Sequence, residues 1–442
     1  MPIRILAVLA LVSASAIGAP GDSLIVHEWG TFTSFQDDQG RTIGAINVDD
    51  EPVPRFVHRL KDLPIFSGTT LPALWSQGAP RCHPDVTLRL ETPVIYFYPP
   101  RDAAIDAVDV RATFNAGWIT EFYPLGDAGQ SQFPRALDSE THGSIEWHAL
   151  RLGGVMTAMP RTSEHVWLAP RNVRSTLVTS SNGETEKYLF YRGVAHLDAP
   201  ILARHRRGAL AIELRAPDAV LPHLPRLWIV DVESDGRLQY RTVDPIAVSA
   251  RVDLSQASGT HTSLESLQNE LRQALIQQGL YEDEAHAMLA TWQLSYFKTE
   301  GLRVFFLLPQ AWTDSQLPLS ISSAAHTTRV MMGRLELISD RQRAALQKLY
   351  ELPDDALPTQ PLYYEAPSIL KEMRNGARTH SDLYRVAGRQ APKALEYYER
   401  LGRFRDALLM HELGLATDTS KRARLNAVMN AFSACTWVEN DE

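Results

Sequence analysis

From residue 24 to about residue 243, apolar residues come in short runs that alternate with polar ones and break at turn signals, a pattern that predicts strands. Residues 24–34 (LIVHEWGTFTS) are β-branched and aromatic, and residues 37–40 (DDQG) supply a turn after them. Residues 86–98 (VTLRLETPVIYFY) predict two strand pieces interrupted at Pro93, since proline has no N–H to give a central ladder. Two hairpins are predicted, 175–179 with 187–191 around Asn182-Gly183, and 227–232 with 237–242 around Asp235-Gly236. Both dipeptides suit the positive φ that hairpin turns need. Many short strands at this spacing predict a mainly antiparallel, β-sandwich-like domain.

The period then lengthens to that of a helix. Thr262 with Glu265 reads as a capping box ahead of Leu264, Leu267, Leu271 and Leu275, and Gly279 ends that helix. Glu282, Asp283 and Glu284 favour the start of a second helix, whose apolar stripe runs Ala285, Met288, Leu289, Trp292, Tyr296. The two predict a helical hairpin at about 262–298, inserted between strands, because 303–308 and 329–338 return to strand character. After Ser339, which caps with Gln342, the chain reads as helical to its end, with Pro353 closing one helix and Pro367 and Pro392 opening later ones. Residues 394–416 resemble a single tetratricopeptide-type hairpin, or a generic helix pair, since one copy is not an array. The expected fold class is therefore α+β. A β-rich main domain spans 20–338, and an all-helical C-terminal region spans 339–442.

Residues 1–19 read as a secretory leader, with Arg4 as the positive region, an apolar stretch at 5–17, and Ile17-Gly18-Ala19 as the cleavage site. That stretch is shorter than the roughly 20 residues a membrane-spanning helix needs. The expected location is periplasmic or secreted, with no transmembrane segment in the mature chain. The chain carries 44% hydrophobic and 22% charged residues, ordinary globular values that exclude wholesale disorder. A formal net charge of −8 with no long basic run argues against nucleic acid as a partner. The two cysteines, Cys82 and Cys435, either pair in an oxidising compartment or remain separate buried thiols.

The most distinctive string is VHEWGTFTS at 26–34. His27-Glu28 is not a zinc-protease motif, because Thr31 stands where the second histidine is required. Together with ETPVIYFY (91–98), KYLFYRG (187–193) and RVFFLLP (303–309), this string resembles a group of uncharacterised exported bacterial proteins. The resemblance runs from about residue 26 to 338 and leaves the helical tail outside it. It implies the exported location and the domain limits, and it brings no activity.

Three site readings follow from the residues. Carboxylates beside aromatics on strands, Glu28-Trp29, Glu91 near Tyr96, and Glu121-Phe122-Tyr123, can flank a glycosidic bond if the strands are neighbours, with Arg192 tuning a pKa. The competing reading pairs each acid with one of the many arginines at a sheet edge. A metal reading takes His142, Glu146 and His148, or His83-Pro84-Asp85. No Gly-x-Ser-x-Gly elbow, phosphate-binding glycine loop or dinucleotide fingerprint occurs in the chain, and the residues leave the cofactor unknown. The leading functional expectation is a non-catalytic periplasmic or secreted binding protein for a glycan or a protein, with Trp29, Tyr96, Tyr123 and Arg192 as binding residues. The alternative is a hydrolase of glycan or peptide working through Glu28, Glu91 and Glu121, with or without a metal.

Overall fold

The computed structural model describes residues 23–48, 53–60, 75–76, 79–100, 105–129, 133–134, 136–154, 159–206, 208–244, 248–254, 260–293, 295–358, 390–433 and 435. The predicted leader at 1–19 and Pro367 lie outside the described residues. The chain begins with β1 (Leu24–Gln36), β2 (His58–Arg59), β3 (Trp75–Ser76) and β4 (Ala79–Pro80). The long strands β5 (Leu88–Tyr98), β6 (Ile105–Asn115), β7 (Gly117–Tyr123) and β8 (His142–Leu152) follow. Helix α1 (His165–Arg171) precedes β9 (Val178–Thr179), β10 (Thr185–Glu186) and β11 (Leu189–Ala195). Then come β12 (Ile201–Arg206), β13 (Ala209–Leu214), β14 (Leu227–Val232), β15 (Leu238–Val243) and β16 (Ser249–Asp253). Helices α2 (Leu264–Gln277) and α3 (Glu282–Thr291) lead to β17 (Gly301–Leu308), α4 (Gln310–Gln316), β18 (Leu319–Ile321) and β19 (Ala325–Leu337). Helices α5 (Asp340–Glu351), α6 (Lys393–Glu399), α7 (Arg405–Leu415) and α8 (Thr419–Phe432) complete it.

Fourteen strands join one mixed sheet, whose main path is β10-β9-β8-β7-β11-β5-β1-β19-β17-β14-β15, with β2, β6 and β18 attached beside it. This overturns the expected fold class of a mainly antiparallel β-sandwich followed by an all-helical region. The physical reason is that alternation along a strand reports which faces are buried, not which strand lies alongside or what covers the face. At the centre, β1 and β19 pair in parallel, in register from Leu24 opposite Ala325 to Gln36 opposite Leu337. No hairpin can make such a pair, so local turn signals do not reveal it. Nor do the helices after Ser339 stand apart. Leu346, Leu395, Leu408 and Phe432 share one core with Phe35, Val86 and Val194 of the strand region.

The sheet is covered on both faces. On one, Val26, Phe32, Ile95 and Phe97 pack with Phe114 and Trp147 of the β6–β8 pair and with Ile201 and Ile212 of the small sheet β12-β13-β16. On the other, Trp29, Tyr96 and Val330 pack under Leu271, Met288 and Trp292 of the α2–α3 hairpin. That hairpin starts one residue later than its predicted cap, with the Ser263 hydroxyl accepting from the Ser266 N–H. The Ser339–Gln342 capping box forms as read from the sequence.

Strand β5 continues through Pro93 but carries a bulge there, with Thr92 at φ +48°. From Val94 to Glu91 it has one residue more than β1 has from Trp29 to Thr31, and from Val94 to Leu90 one more than β11 has from Phe190 to Gly193. Gly30 permits the approach, since a Cβ there would stand 3.0 Å from the Pro93 Cα.

Candidate functional site

The VHEWGTFTS string is the central strand, and its polar side chains are buried rather than presented. Glu28 is 0% exposed. Its carboxylate accepts from Arg329 Nε at 2.5 Å and from the Tyr191 hydroxyl, and Arg329 also reaches Asp314 at 2.8 Å. His27 points the other way along the alternation. Its Nδ1 lies 2.8 Å from Glu284 Oε2, whose other oxygen accepts from the Tyr98 hydroxyl at 2.7 Å. Glu284 is also the capping residue of α3, so this contact fastens the helix to β1.

Glu91 sits on the helix-covered face, bonded by Thr33 Oγ1 at 2.9 Å, the Tyr296 hydroxyl at 2.5 Å, Arg403 Nη2 at 2.7 Å and Arg89 Nη2 at 3.1 Å. Beside it, Glu336 accepts from Arg334 Nε at 2.7 Å and lies 3.3 Å from Arg303 Nε. Glu121, directly opposite Arg192 on β11, accepts from the Arg192 guanidinium and from Arg59 Nε at 2.7 Å. Burial alone would raise the Glu121 carboxyl, but Arg192 and Arg59 outweigh it and hold the group below the usual carboxylate range.

The structure therefore does not gather the three candidate acids in one cleft. Glu28 and Glu91 lie on opposite faces of the sheet. Glu91 and Glu121 share a face but are two strand spacings apart, about 10 Å between backbones, with β11 between them. Trp29 and Tyr96 are 0% exposed and Tyr123 is 3% exposed, so the candidate binding aromatics are core side chains. The Tyr96 hydroxyl donates to the Pro170 carbonyl at 3.0 Å, and burial, with Glu284 and Glu186 nearby, pushes its phenol well above the ordinary value.

The metal candidates do not assemble as a trio either. His142 Nδ1 bonds Asn115 Oδ1 at 3.1 Å. Glu146, four residues along the same strand, is about 13 Å away on strand geometry. His148 keeps to Glu146 at 3.4 Å and to Asp109 at 3.9 Å on the exposed β6–β8 surface. His83 is buried, with Nδ1 accepting from the Asp85 N–H at 3.3 Å.

Two further features stand beside these: the cysteine pairing, one of the two outcomes read from the sequence and here joined by an unforeseen carboxylate, and a groove. Cys82 and Cys435 stand at disulfide-bonding distance, Cα–Cα 5.4 Å, and the Asp406 carboxylate joins them in a group whose ligand atoms all lie within 4.8 Å of one another. Burial raises the Asp406 carboxyl, and the Tyr398 hydroxyl donates to it at 2.5 Å. The second is an open groove of about 520 Å³ between α1, α2 and α3, lined by Ala169, Arg174, Arg272, Asp283, His286 and Ala290. It exists because alanines floor it. Its residues come from three separate stretches, so no local motif announces it.

No protein-family model matches the chain, and no curated protein does. Among solved structures it is similar to the Mu homology domain of Fcho1 from Danio rerio with bound Eps15 peptide, at 9% identity and a TM-score of 0.24, over 72% of this chain and 96% of that one. A likeness this loose carries no argument. Among the described residues, no helix is long and apolar enough to cross a membrane.

Proposed function

We propose that the chain is an exported, non-catalytic binding protein, and that of the two ligand classes, glycan and protein, it takes a protein segment. The observation that carries the reading is the state of Glu28, Glu91 and Glu121: each is buried and already ion-paired with its own arginines. A general acid or nucleophile must reach substrate, and none of these does without breaking the core. The leader-like residues 1–19, the cysteine pair and the resemblance of the VHEWGTFTS, ETPVIYFY, KYLFYRG and RVFFLLP strings to uncharacterised exported bacterial proteins support the exported setting.

The α1–α3 groove is where a ligand fits. No phenylalanine, tyrosine or tryptophan lines it, which disfavours stacking on sugar. Its alanine floor and its charges suit an extended peptide with polar side chains. Arg174 is held by Asp283 at 3.0 Å, and Arg272 stands 4.0 Å from Glu282. The test is selection of a displayed peptide library on the purified full chain, followed by titration of the enriched peptides. Enriched peptides should share a consensus, and Arg272→Glu with His286→Glu should weaken their binding at least about tenfold. Turnover of a glycan or peptide substrate that Glu28→Gln abolishes at unchanged melting temperature would overturn the reading.

A further inference from the structure

We propose that Cys82, Cys435 and Asp406 form a redox-gated site for a thiophilic divalent cation such as zinc: closed while the cysteines are bonded, open when they are reduced. The proposal is independent of the groove. Three elements build the site. Cys82 lies just after β4, Asp406 in the first turn of α7, and Cys435 just beyond α8. Cys82 and Asp406 are buried at 2% and 9% exposure, while Cys435 is partly exposed, so one side of the group meets solvent.

The ligand set is the reason for choosing this cation class. Two thiolates and one carboxylate oxygen are zinc donors, and a tetrahedral ion with sulfur at about 2.3 Å holds its two sulfurs about 3.8 Å apart. All three ligand atoms already lie within 4.8 Å of one another. Solvent at the open side supplies the fourth position. The Tyr398 hydroxyl, donating to Asp406 Oδ1 at 2.5 Å, fixes the carboxylate as an outer-shell partner does at metal centres.

The two states exclude each other because both use the same sulfur atoms. A small dithiol opens the site by exchange: its two S–H groups pass two electrons and two protons to the Cys82–Cys435 bond, and it leaves as its own cyclic disulfide. Each protein thiol then releases its proton to water as its sulfur–metal bond forms. A small-molecule disulfide closes the site by the reverse exchange: it takes the two electrons from the thiolates and leaves as two thiols, protonated by water, and the ion departs as the Cys82–Cys435 bond forms.

The experiment uses the full chain, purified oxidised and then reduced with a phosphine, which leaves no competing thiol. Cobalt(II) is the probe, read by its thiolate charge-transfer absorption. The reduced chain should bind one equivalent, at least about a hundredfold tighter than the oxidised chain. Asp406→Asn, which keeps both cysteines and a Tyr398 acceptor, should weaken cobalt binding about tenfold or more, with the circular dichroism unchanged. No charge-transfer band on the reduced wild type would overturn the proposal. So would an Asp406→Asn titration that superimposes on the wild type, or equal binding by oxidised and reduced chains.

Discussion

Glu28 and Arg329, 301 residues apart in the chain, face each other in register across the two parallel central strands and are joined by a buried 2.5 Å ion pair. The pair closes the middle of the sheet and brings the first described strand to the last. Desolvating two charges is costly, so the pair's net contribution is modest, but removing one partner leaves an uncompensated buried charge. Arg329→Met should therefore destabilise by about 3–5 kcal/mol, and Glu28→Gln should do the same. In a double-mutant cycle by urea unfolding, the combined variant should recover much of that loss. Additive losses would mean that the two side chains act independently.

Glu121 stands between Arg192 and Arg59, and Glu336 is held below the usual carboxylate range in the same way, with burial opposed and outweighed by Arg303 and Arg334. A carboxyl whose folded pKa lies below its unfolded value of about 4.3 contributes stability that is fully present above that value. The contribution is lost as pH falls through the folded pKa. The melting temperature of the wild type should thus drop steeply from about pH 5 downward. Glu121→Gln should be less stable at neutral pH and show a shallower acid limb. Melting curves across this range decide it, and parallel limbs for the two proteins would count against the arginine clamp.

What the sequence disclosed and what it hid divide along chain distance. The hairpin at Gly236 was legible because its turn, with a positive-φ glycine, is specified locally. At Gly183 the turn was legible too, but only Val178 and Thr179 pair across it, with Glu186 and Thr185. The expected partner 187–191 leads into β11, which pairs with β5 and β7. Residues 24–34 read as a strand because their residue types fit a pleated surface. That β1 would pair with β19 in parallel was not legible, since register over such a separation is set by tertiary packing. That Glu28, Glu91 and Glu121 pair with arginines was one of the two readings the sequence offered, but which arginines was not legible beyond the nearby Arg89, because Arg329, Arg403 and Arg192 lie 301, 312 and 71 residues away. The abundance of arginine among the 44 basic residues was the one signal pointing to clamps. The groove had no sequence signal at all, because the alanines that floor it are ordinary helix residues.

Cys82 and Cys435 are 353 residues apart, with the α5–α8 helices immediately before Cys435. A bond between them restricts the unfolded chain over nearly its whole length, and reducing it should cost about 2–4 kcal/mol. The purified chain, unfolded without reductant, should show no titratable thiol, and two after reduction. Its urea midpoint should fall on reduction while the far-ultraviolet circular dichroism below the transition is retained. Two free thiols in the unreduced chain would remove the bond from the account.

Gln36, at the end of β1, uses its side-chain amide as a surrogate strand. Its Oε1 accepts from the Ala203 N–H and its Nε2 donates to the Ile201 carbonyl, both at 2.9 Å, so the open edge of β12 is satisfied by one 0%-exposed side chain. This docks the three-stranded sheet β12-β13-β16 onto the large one. Gln36→Ala leaves a buried donor and a buried acceptor orphaned, at about 1–3 kcal/mol each. Gln36→Glu keeps the acceptor for Ala203 but gives Ile201 nothing, and adds a buried charge, so it should be the worse of the two. Amide hydrogen exchange separates local from global effects. The Ala203 amide should exchange faster in Gln36→Ala relative to the β1 and β5 amides, because opening the β12 edge does not require opening the sheet. If Ala203 stays as protected as those central amides, the small sheet is held by apolar packing of Ile201 and Ile212 instead, and Gln36 is a satisfied bystander.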